Sequence, residues 1–215
     1  MSRAVANPLP PERFEEILRR RAPLLRVEAD LLARADALAN YLSELDLWRR
    51  RVNLTGNLSA EELADHVLES LVGSSLIPHG ERVVDIGSGA GFPGLPLAVA
   101  RPDLKVTLVE PRGKRAAFLR HIARHLALSK VDVLATRIEE VGGQTFGSAT
   151  TRAVGNFASW IGDAAFLVPG GTLLAWTTRP EEIASELPGL DFEKAVSIPG
   201  SNSRQIAVFR RQGRR

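Results

Sequence analysis

The sequence predicts an α/β protein in which a mostly parallel, seven-stranded sheet follows an N-terminal helical segment. From residue 82 onward, short β-rich runs alternate with segments of helical length, whereas residues 10–71 carry no strand pattern. Alternation of strands and helices is typical of a doubly wound parallel sheet. We therefore expect a helical extension over residues 1–80 and a Rossmann-like α/β domain over residues 81–215.

The N-terminal segment shows helical periodicity. Its apolar side chains recur at steps of three and four residues, which places them on one face of a helix. These residues are Leu31, Ala35, Leu38, Leu42 and Leu45. A second helix is predicted from Ser59 to about Leu71, because Ser59 and Glu62 form the pattern of a capping box.

Seven strands are predicted after the linker at residues 78–80. The first five cover residues 83–86, 106–109, 131–134, 149–151 and 172–176, with helices over residues 94–101, 114–128 and 157–167. The last two strands, over residues 191–198 and 204–209, are separated by the turn-forming sequence Pro199-Gly-Ser-Asn-Ser203. The sheet is therefore expected to end in an antiparallel hairpin.

Composition excludes several kinds of chemistry. The 215 residues include no cysteine, which excludes disulfides, thiolate zinc sites and cysteine nucleophiles, and the four histidines are too scattered to suggest a metal site. No apolar run is long enough to span a membrane, and the N-terminus lacks the apolar centre of a secretory signal. A cytoplasmic protein without membrane attachment is expected.

The net charge of +3 arises mainly from arginine. Arginine suits contacts with phosphate groups. A GC-rich genome would produce the same bias without any functional meaning, so composition alone leaves a nucleic-acid partner open.

A glycine-rich loop follows the first predicted strand. Gly87, Gly89 and Gly91 lie where ligands bind in open parallel sheets, and glycine lets backbone N–H groups approach a ligand closely. Glu110 ends the second strand, 23 residues after Gly87, where a carboxylate can accept hydrogen bonds from both hydroxyls of a ribose. These features predict a cofactor that contains a nucleoside.

Two cofactor classes fit this loop. Residues 89–94 match the G-x-G-x-x-G pattern of dinucleotide-binding oxidoreductases, which keeps that class open. Asp85 favours S-adenosylmethionine instead, because its carboxylate can engage the methionine end of the ligand, and Pro93 disfavours a pyrophosphate-binding helix. About 120 residues follow the loop, too few for the usual substrate domain of a dehydrogenase. A class I methyltransferase fold is therefore predicted.

The motifs from Trp48 to Ala153 resemble one family, the small-subunit ribosomal RNA guanine-N7 methyltransferase G family, also called glucose-inhibited division protein B. The stretches that carry the resemblance are Trp48, Asn53-Leu-Thr55, His66-Val-Leu-Glu-Ser-Leu71, the loop at residues 85–94, Gly113-Lys-Arg-Ala-Ala-Phe-Leu-Arg120, Arg137-Ile-Glu-Glu140 and Arg152-Ala153. Departures also occur: Asp65 stands where the family usually has arginine, and Glu69 where it has aspartate. The resemblance implies methylation of a guanine N7 in bacterial 16S rRNA, by a monomer acting on the RNA or the small ribosomal subunit.

The resemblance also implies the site residues. It places cofactor contacts on Gly87, Phe92, Ile138, Glu139 and Arg152, with Glu110 on the ribose, and Asp85, Ser88 and Gly89 complete the predicted loop. An apolar residue followed by a carboxylate after the third strand independently suits an adenine ring. No catalytic base is expected, because guanine N7 carries a free lone pair at neutral pH.

Basic residues near these motifs, and in the basic tail that begins at Arg204, are candidates for RNA contact. They are Arg51, Lys114, Arg115, Arg120 and Arg204. A solvated outer face is the simpler explanation for Lys114 and Arg120. Arg115 falls within the apolar sector of its helix, where it either snorkels or contacts substrate or cofactor. Another acceptor, whether nucleic acid, protein or small molecule, stays open.

Overall fold

The computed structural model describes residues 8–152, 164–187 and 189–213, and it contains the predicted seven-stranded sheet. The strands are β1 (Arg82–Ile86), β2 (Lys105–Val109), β3 (Val131–Leu134), β4 (Phe146–Arg152), β5 (Leu167–Thr177), β6 (Leu190–Ser197) and β7 (Gln205–Arg211). Their order in the sheet is β3-β2-β1-β4-β5-β7-β6. β1 to β5 run parallel, and β7 pairs antiparallel with both β5 and β6. The predicted fold class and C-terminal hairpin are confirmed.

Six α-helices accompany the sheet within the described ranges. They are α1 (Pro11–Arg21), α2 (Ala35–Trp48), α3 (Ala60–Val72), α4 (Gly94–Ala100), α5 (Gly113–His125) and α6 (Pro180–Glu186). None of the described helices is long and apolar enough to cross a membrane.

The start of α3 follows from its sequence. Ser59 Oγ accepts a 3.2 Å hydrogen bond from Glu62 N, and Glu62 Oε2 accepts one of 2.7 Å from Ser59 N, so the predicted capping box is present. A cap of this kind stabilises a helix by about 1 kcal/mol. It fixes the first turn of the helix that carries His66 and Glu69.

The N-terminal helices share an apolar core with one face of the sheet. Leu18, Leu42 and Leu68, from α1, α2 and α3, belong to the same buried cluster as Val83 of β1. The adjacent Val84 belongs to a second cluster, as expected for successive side chains of a strand that point to opposite faces. This shared core fixes α2 and α3 beside the carboxyl edge of the sheet. The domain division at residue 80 stays a prediction.

The structure differs from the prediction after β4. The helix predicted over residues 157–167 lies largely outside the described residues, and its end is wrong because Leu167 begins β5. Ala164 has a left-handed φ of 53°, and Phe166 O accepts a 2.9 Å hydrogen bond from Phe146 N, so the chain there already joins the sheet. The short helix α6 was not predicted, although Pro180 followed by two glutamates is a helix-start signal.

Candidate functional site

The loop between β1 and α4 presents backbone amides at the carboxyl edge of the sheet. Gly87, Gly89 and Gly91 have φ values of 70°, 55° and 106°, in the region that favours glycine. The amides of Gly87 and Ser88 donate hydrogen bonds of 2.9 and 3.1 Å to Val109 O at the end of β2. The loop, called the donor loop below (residues 87–93), is thus held against the next strand.

Asp85 lies fully buried beneath the donor loop. Its Oδ1 accepts a 2.8 Å hydrogen bond from Thr150 Oγ1, whereas Oδ2 is buried with no hydrogen-bond partner among the described residues. Burial raises the pKa of Asp85 to about 6; Thr150, Ser88 and the backbone of Gly94 oppose this shift, and the charge of Glu110 adds to it. An orphaned buried oxygen of this kind is suited to a cationic or hydrogen-donating ligand group.

Glu110 follows β2 and is only 3% exposed. Its Oε2 accepts a 3.0 Å hydrogen bond from Gly89 N, and its Oε1 accepts one of 2.8 Å from Arg112 N. Each carboxylate oxygen can accept a further hydrogen bond. Glu110 therefore both fixes the donor loop and keeps acceptor capacity for a pair of ribose hydroxyls.

The turn after β3 contains the predicted adenine contacts. Ile138–Glu140 forms a 3₁₀ turn in which Ile138 is buried and Glu139 is exposed. Ile138 packs in the same cluster as Ile86 and Val109, the last residues of β1 and β2. An apolar surface and a free carboxylate therefore lie at the same sheet edge as the donor loop.

Phe92 connects the donor loop to the N-terminal helices. Its ring makes edge contacts with Tyr41 and His66, at centroid distances of 5.7 and 5.5 Å. Tyr41 is fully buried, and its hydroxyl donates a 2.8 Å hydrogen bond to Ala90 O in the loop. Sequence reasoning missed Tyr41. Its signal was the single tyrosine of the chain on an apolar helix face, where the hydroxyl needs a partner.

Arg152, at the end of β4, contacts His66 and Glu69 of α3 in a cluster of charged side chains. Its Nη2 lies 2.6 Å from Glu69 Oε2 and 2.6 Å from His66 Nδ1. Arg204 pairs with the other oxygen of Glu69, and Trp176 Nε1 donates a 2.8 Å hydrogen bond to Glu69 O. Burial raises the pKa of Glu69, but the bonds and charges of His66 and the two arginines outweigh it and hold that pKa below its usual value.

The five predicted RNA-contact residues differ in their surroundings. Arg51 and Lys114 are exposed, and neither side chain pairs with any described residue. Arg115 Nε and Nη2 donate hydrogen bonds of 3.2 and 3.0 Å to Asn53 O. They hold the loop between α2 and α3 close to Gly89. The remaining two are Arg120, which donates to Val133 O at 3.3 Å, and Arg204 of the Glu69 cluster.

No cluster of three or more potential metal ligands occurs within the described ranges. The strand order, the glycine loop at the end of β1 and the carboxylate at the end of β2 define a class I methyltransferase. A solved structure of similar fold is an S-adenosylmethionine-dependent methyltransferase from Aquifex aeolicus, with a TM-score of 0.52 and 16% identity, covering 61% of this chain and 82% of that one.

Sequence comparison identifies the family. Residues 34–197 match the family described as rRNA small subunit methyltransferase G. The protein of that name from Halorhodospira halophila is 40% identical over 194 residues, which cover 86% of this chain and 92% of the relative. The one from Sorangium cellulosum is 38% identical over 220 residues, covering 95% and 89%. The chain belongs to this family, and S-adenosylmethionine is confirmed as its cofactor.

Proposed function

We propose that the protein transfers the methyl group of S-adenosylmethionine to N7 of a guanine in 16S rRNA. The names of its relatives, each a ribosomal RNA small subunit methyltransferase G, support this acceptor. The observation that carries the proposal is the donor loop of a chain of that family, where Gly89 N donates to the buried Glu110 and Asp85 Oδ2 is buried with no partner among the described residues.

The residues at the carboxyl edge fit the cofactor. We assign the unpartnered Oδ2 of Asp85 to the methionine end, directly or through water, and Glu110 to the ribose hydroxyls. Ile138 packs against the adenine, and Glu139 accepts from its amino group. The further contacts we propose are Gly87, Ser88, Gly89, Phe92 and Arg152.

The proposed methyl transfer requires the protein mainly to align guanine N7 with the methyl group and the sulfur of the cofactor. Bound S-adenosylmethionine supplies a methyl group on a positively charged sulfur, which is displaced in line by a nucleophile. Guanine N7 attacks with its own lone pair, so no side chain removes a proton. The protein must orient the base and exclude water, which is catalysis by proximity in a preorganised site.

His66, which is partly exposed, lies against Phe92 of the donor loop, and the buried Tyr41 supports Phe92 from behind, so this edge offers an aromatic surface for this purpose. N7 lies in the deep, narrow major groove of A-form RNA, so the target base must be unpaired or flipped out. We propose phosphate contacts around the site, with direct contacts from the exposed side chains and Arg115 acting beside Gly89. The residues are Arg51, Lys114, Arg115, Arg120 and Arg204. We further propose a cytoplasmic monomer whose donor site lies in residues 81–215, with residues 1–80 as the helical extension.

Label transfer tests the acceptor. The protein is incubated with tritiated S-adenosylmethionine and, separately, with unmethylated 16S rRNA, assembled small subunits and a protein extract. Label is expected in RNA, free or in subunits, and Glu110→Ala is expected to abolish it. Label found only in protein would contradict the RNA assignment.

A further inference from the structure

Glu69 divides its buried carboxylate between two arginines. The side chain is 1% exposed; Oε2 accepts a 2.6 Å hydrogen bond from Arg152 Nη2, and Oε1 pairs with Arg204 Nη1. A buried carboxylate between two cations leaves a cluster with net positive charge. Burying such a cluster costs stability, which favours a role for its excess positive charge in binding an anionic group.

The positive charge of this cluster opens to solvent at Arg204. The Arg204 side chain is 40% exposed, compared with 14% for Arg152. Arg204 Nη1 forms an ion pair with Glu69 Oε1 that lacks hydrogen-bond geometry, and Arg204 Nε donates a 3.2 Å hydrogen bond to Ser201 Oγ. No described residue accepts a hydrogen bond from Nη2. The guanidinium is therefore oriented from one side and available on the other.

The cluster lies at the same edge of the sheet as the donor loop. Arg204 directly precedes Gln205, whose register partner Thr177 ends β5, and Arg152 ends β4. His66 connects this charged cluster to the donor loop. Its Nδ1 lies 2.6 Å from Arg152 Nη2, and its ring contacts that of Phe92 in the loop, with 5.5 Å between the ring centroids.

We propose that Glu69 is a positioning residue that presents Arg204 to a backbone phosphate of the nucleotide entering the site, while its second oxygen holds Arg152 beside the donor loop. An oriented guanidinium matches phosphate geometry with parallel hydrogen bonds, which a lysine cannot reproduce. The carboxylate of Glu69 thereby fixes the position of Arg204, which would contact the RNA, relative to Arg152, which lies beside the cofactor site. This inference rests on the proposed RNA methylation.

The test compares Arg204→Gln and Arg204→Lys in steady-state methylation of unmethylated small subunits at several salt concentrations. Arg204→Gln should raise KM for subunits about tenfold and reduce the slope of log affinity against log salt by about one, with KM for S-adenosylmethionine unchanged. Arg204→Lys should keep the salt slope but raise KM for subunits. Arg210→Gln is the matched control, because it removes an equal charge at the other end of β7.

Glu69 is tested by Glu69→Gln and Glu69→Asp in the same assay. The glutamine variant should reproduce the changes of Arg204→Gln in KM for subunits and in salt slope, and should also raise KM for S-adenosylmethionine, because Glu69 positions Arg152 as well. The aspartate variant, which keeps the charge, should restore these values in part. If Glu69→Gln does not fold, Arg204→Gln carries the test alone.

A wild-type salt slope and KM in Arg204→Gln would overturn the inference while leaving RNA methylation intact. Failure of the wild-type protein to methylate subunits or free 16S rRNA would overturn the proposed function and this inference with it.

Discussion

Asp85 and Thr150 are register partners on the parallel strands β1 and β4, and Thr150 Oγ1 donates a 2.8 Å hydrogen bond to Asp85 Oδ1. That bond orients the carboxylate and leaves Oδ2 buried without a protein partner in the described part of the chain. Folding therefore places a poorly solvated negative charge directly beneath the donor loop. The cost of that charge to the fold, and its value for the cofactor, can be measured separately.

We expect Asp85→Asn to stabilise the fold at neutral pH. The pKa of Asp85 is raised from 3.8 to about 6 by burial, so the ionised group lowers stability above about pH 6 and has no such effect below about pH 4. A shift of that size corresponds to about 3 kcal/mol. Urea unfolding at pH 4 and pH 7.5 should show a gain in the free energy of unfolding at the higher pH only. Equal effects at both pH values would contradict the expectation.

Asp85 should also make cofactor affinity depend on pH. The ammonium group of the methionine end favours the ionised carboxylate, so below about pH 6 binding must release a proton and affinity falls by up to about tenfold per pH unit. Calorimetric titration with S-adenosylhomocysteine from pH 5 to 8 checks this. Asp85→Asn should bind more weakly at pH 8 and lose this pH dependence; retention of the full dependence would assign it to another group.

Glu110→Gln should weaken S-adenosylhomocysteine binding by about 10- to 100-fold. The amide has only one acceptor oxygen, whereas Glu110 accepts from both Gly89 N and Arg112 N before any ribose is bound. The substitution should therefore both disturb the conformation of the donor loop and remove an acceptor for the ribose hydroxyls. The control is Glu181→Gln, an exposed carboxylate on α6, which should bind like the wild-type protein. Unchanged affinity in Glu110→Gln would exclude the ribose assignment.

Gly94→Ala should lower the free energy of unfolding by about 1–3 kcal/mol, because a methyl group there overpacks the contact between α4 and the sheet. A Cβ at Gly94 would lie 2.5 Å from Leu108 Cδ2 and 2.8 Å from Asp85 Oδ2. Gly56→Ala is the matched control, since its Cβ would meet nothing within 4 Å. Denaturant unfolding of the two variants should differ; equal stabilities would show that α4 yields without strain.

The departure at Asp65 is expected to be structural. Asp65 forms a two-pronged ion pair with Arg21 of α1, with distances of 2.5 and 2.7 Å, and both side chains are mostly buried. A double-mutant cycle with Arg21→Gln and Asp65→Asn should give a coupling energy of about 1 kcal/mol, discounted for partial solvent exposure. Methylation rates of the single variants should stay near the wild-type rate. A large loss of rate without a loss of stability would place Asp65 in the acceptor site instead.

The sequence was sufficient for the sheet and much of its carboxyl edge because those features depend on local patterns. Alternating strand and helix periods predicted the fold, the capping box predicted the start of α3, and the order of strands placed Glu110 beside the glycines. The position of Glu110 at the end of β2 was predicted correctly. The hydrogen bonds that it accepts from Gly89 N and Arg112 N depend on the tertiary structure and were not predicted.

Long-range contacts could not be predicted from single positions. The sequence places Arg204 in a basic tail, whereas in the structure it pairs with Glu69, which lies 135 positions earlier in the chain. The sequence leaves Arg115 open between a snorkelling and a ligand-binding role, and in the structure its partner is the carbonyl of Asn53. These pairs depend on how the helices and loops pack against the carboxyl edge of the sheet. No local periodicity contains that information.

The most direct test of the central claim is the identity of the methylated nucleoside. Unmethylated small subunits are treated with the protein and labelled S-adenosylmethionine, the RNA is digested, and the nucleosides are separated by mass spectrometry. We predict label in 7-methylguanosine, confined to a single fragment when the same RNA is digested with a base-specific ribonuclease, and lost in Glu110→Ala. Label in another nucleoside, or in ribosomal protein alone, would contradict methyl transfer to guanine N7.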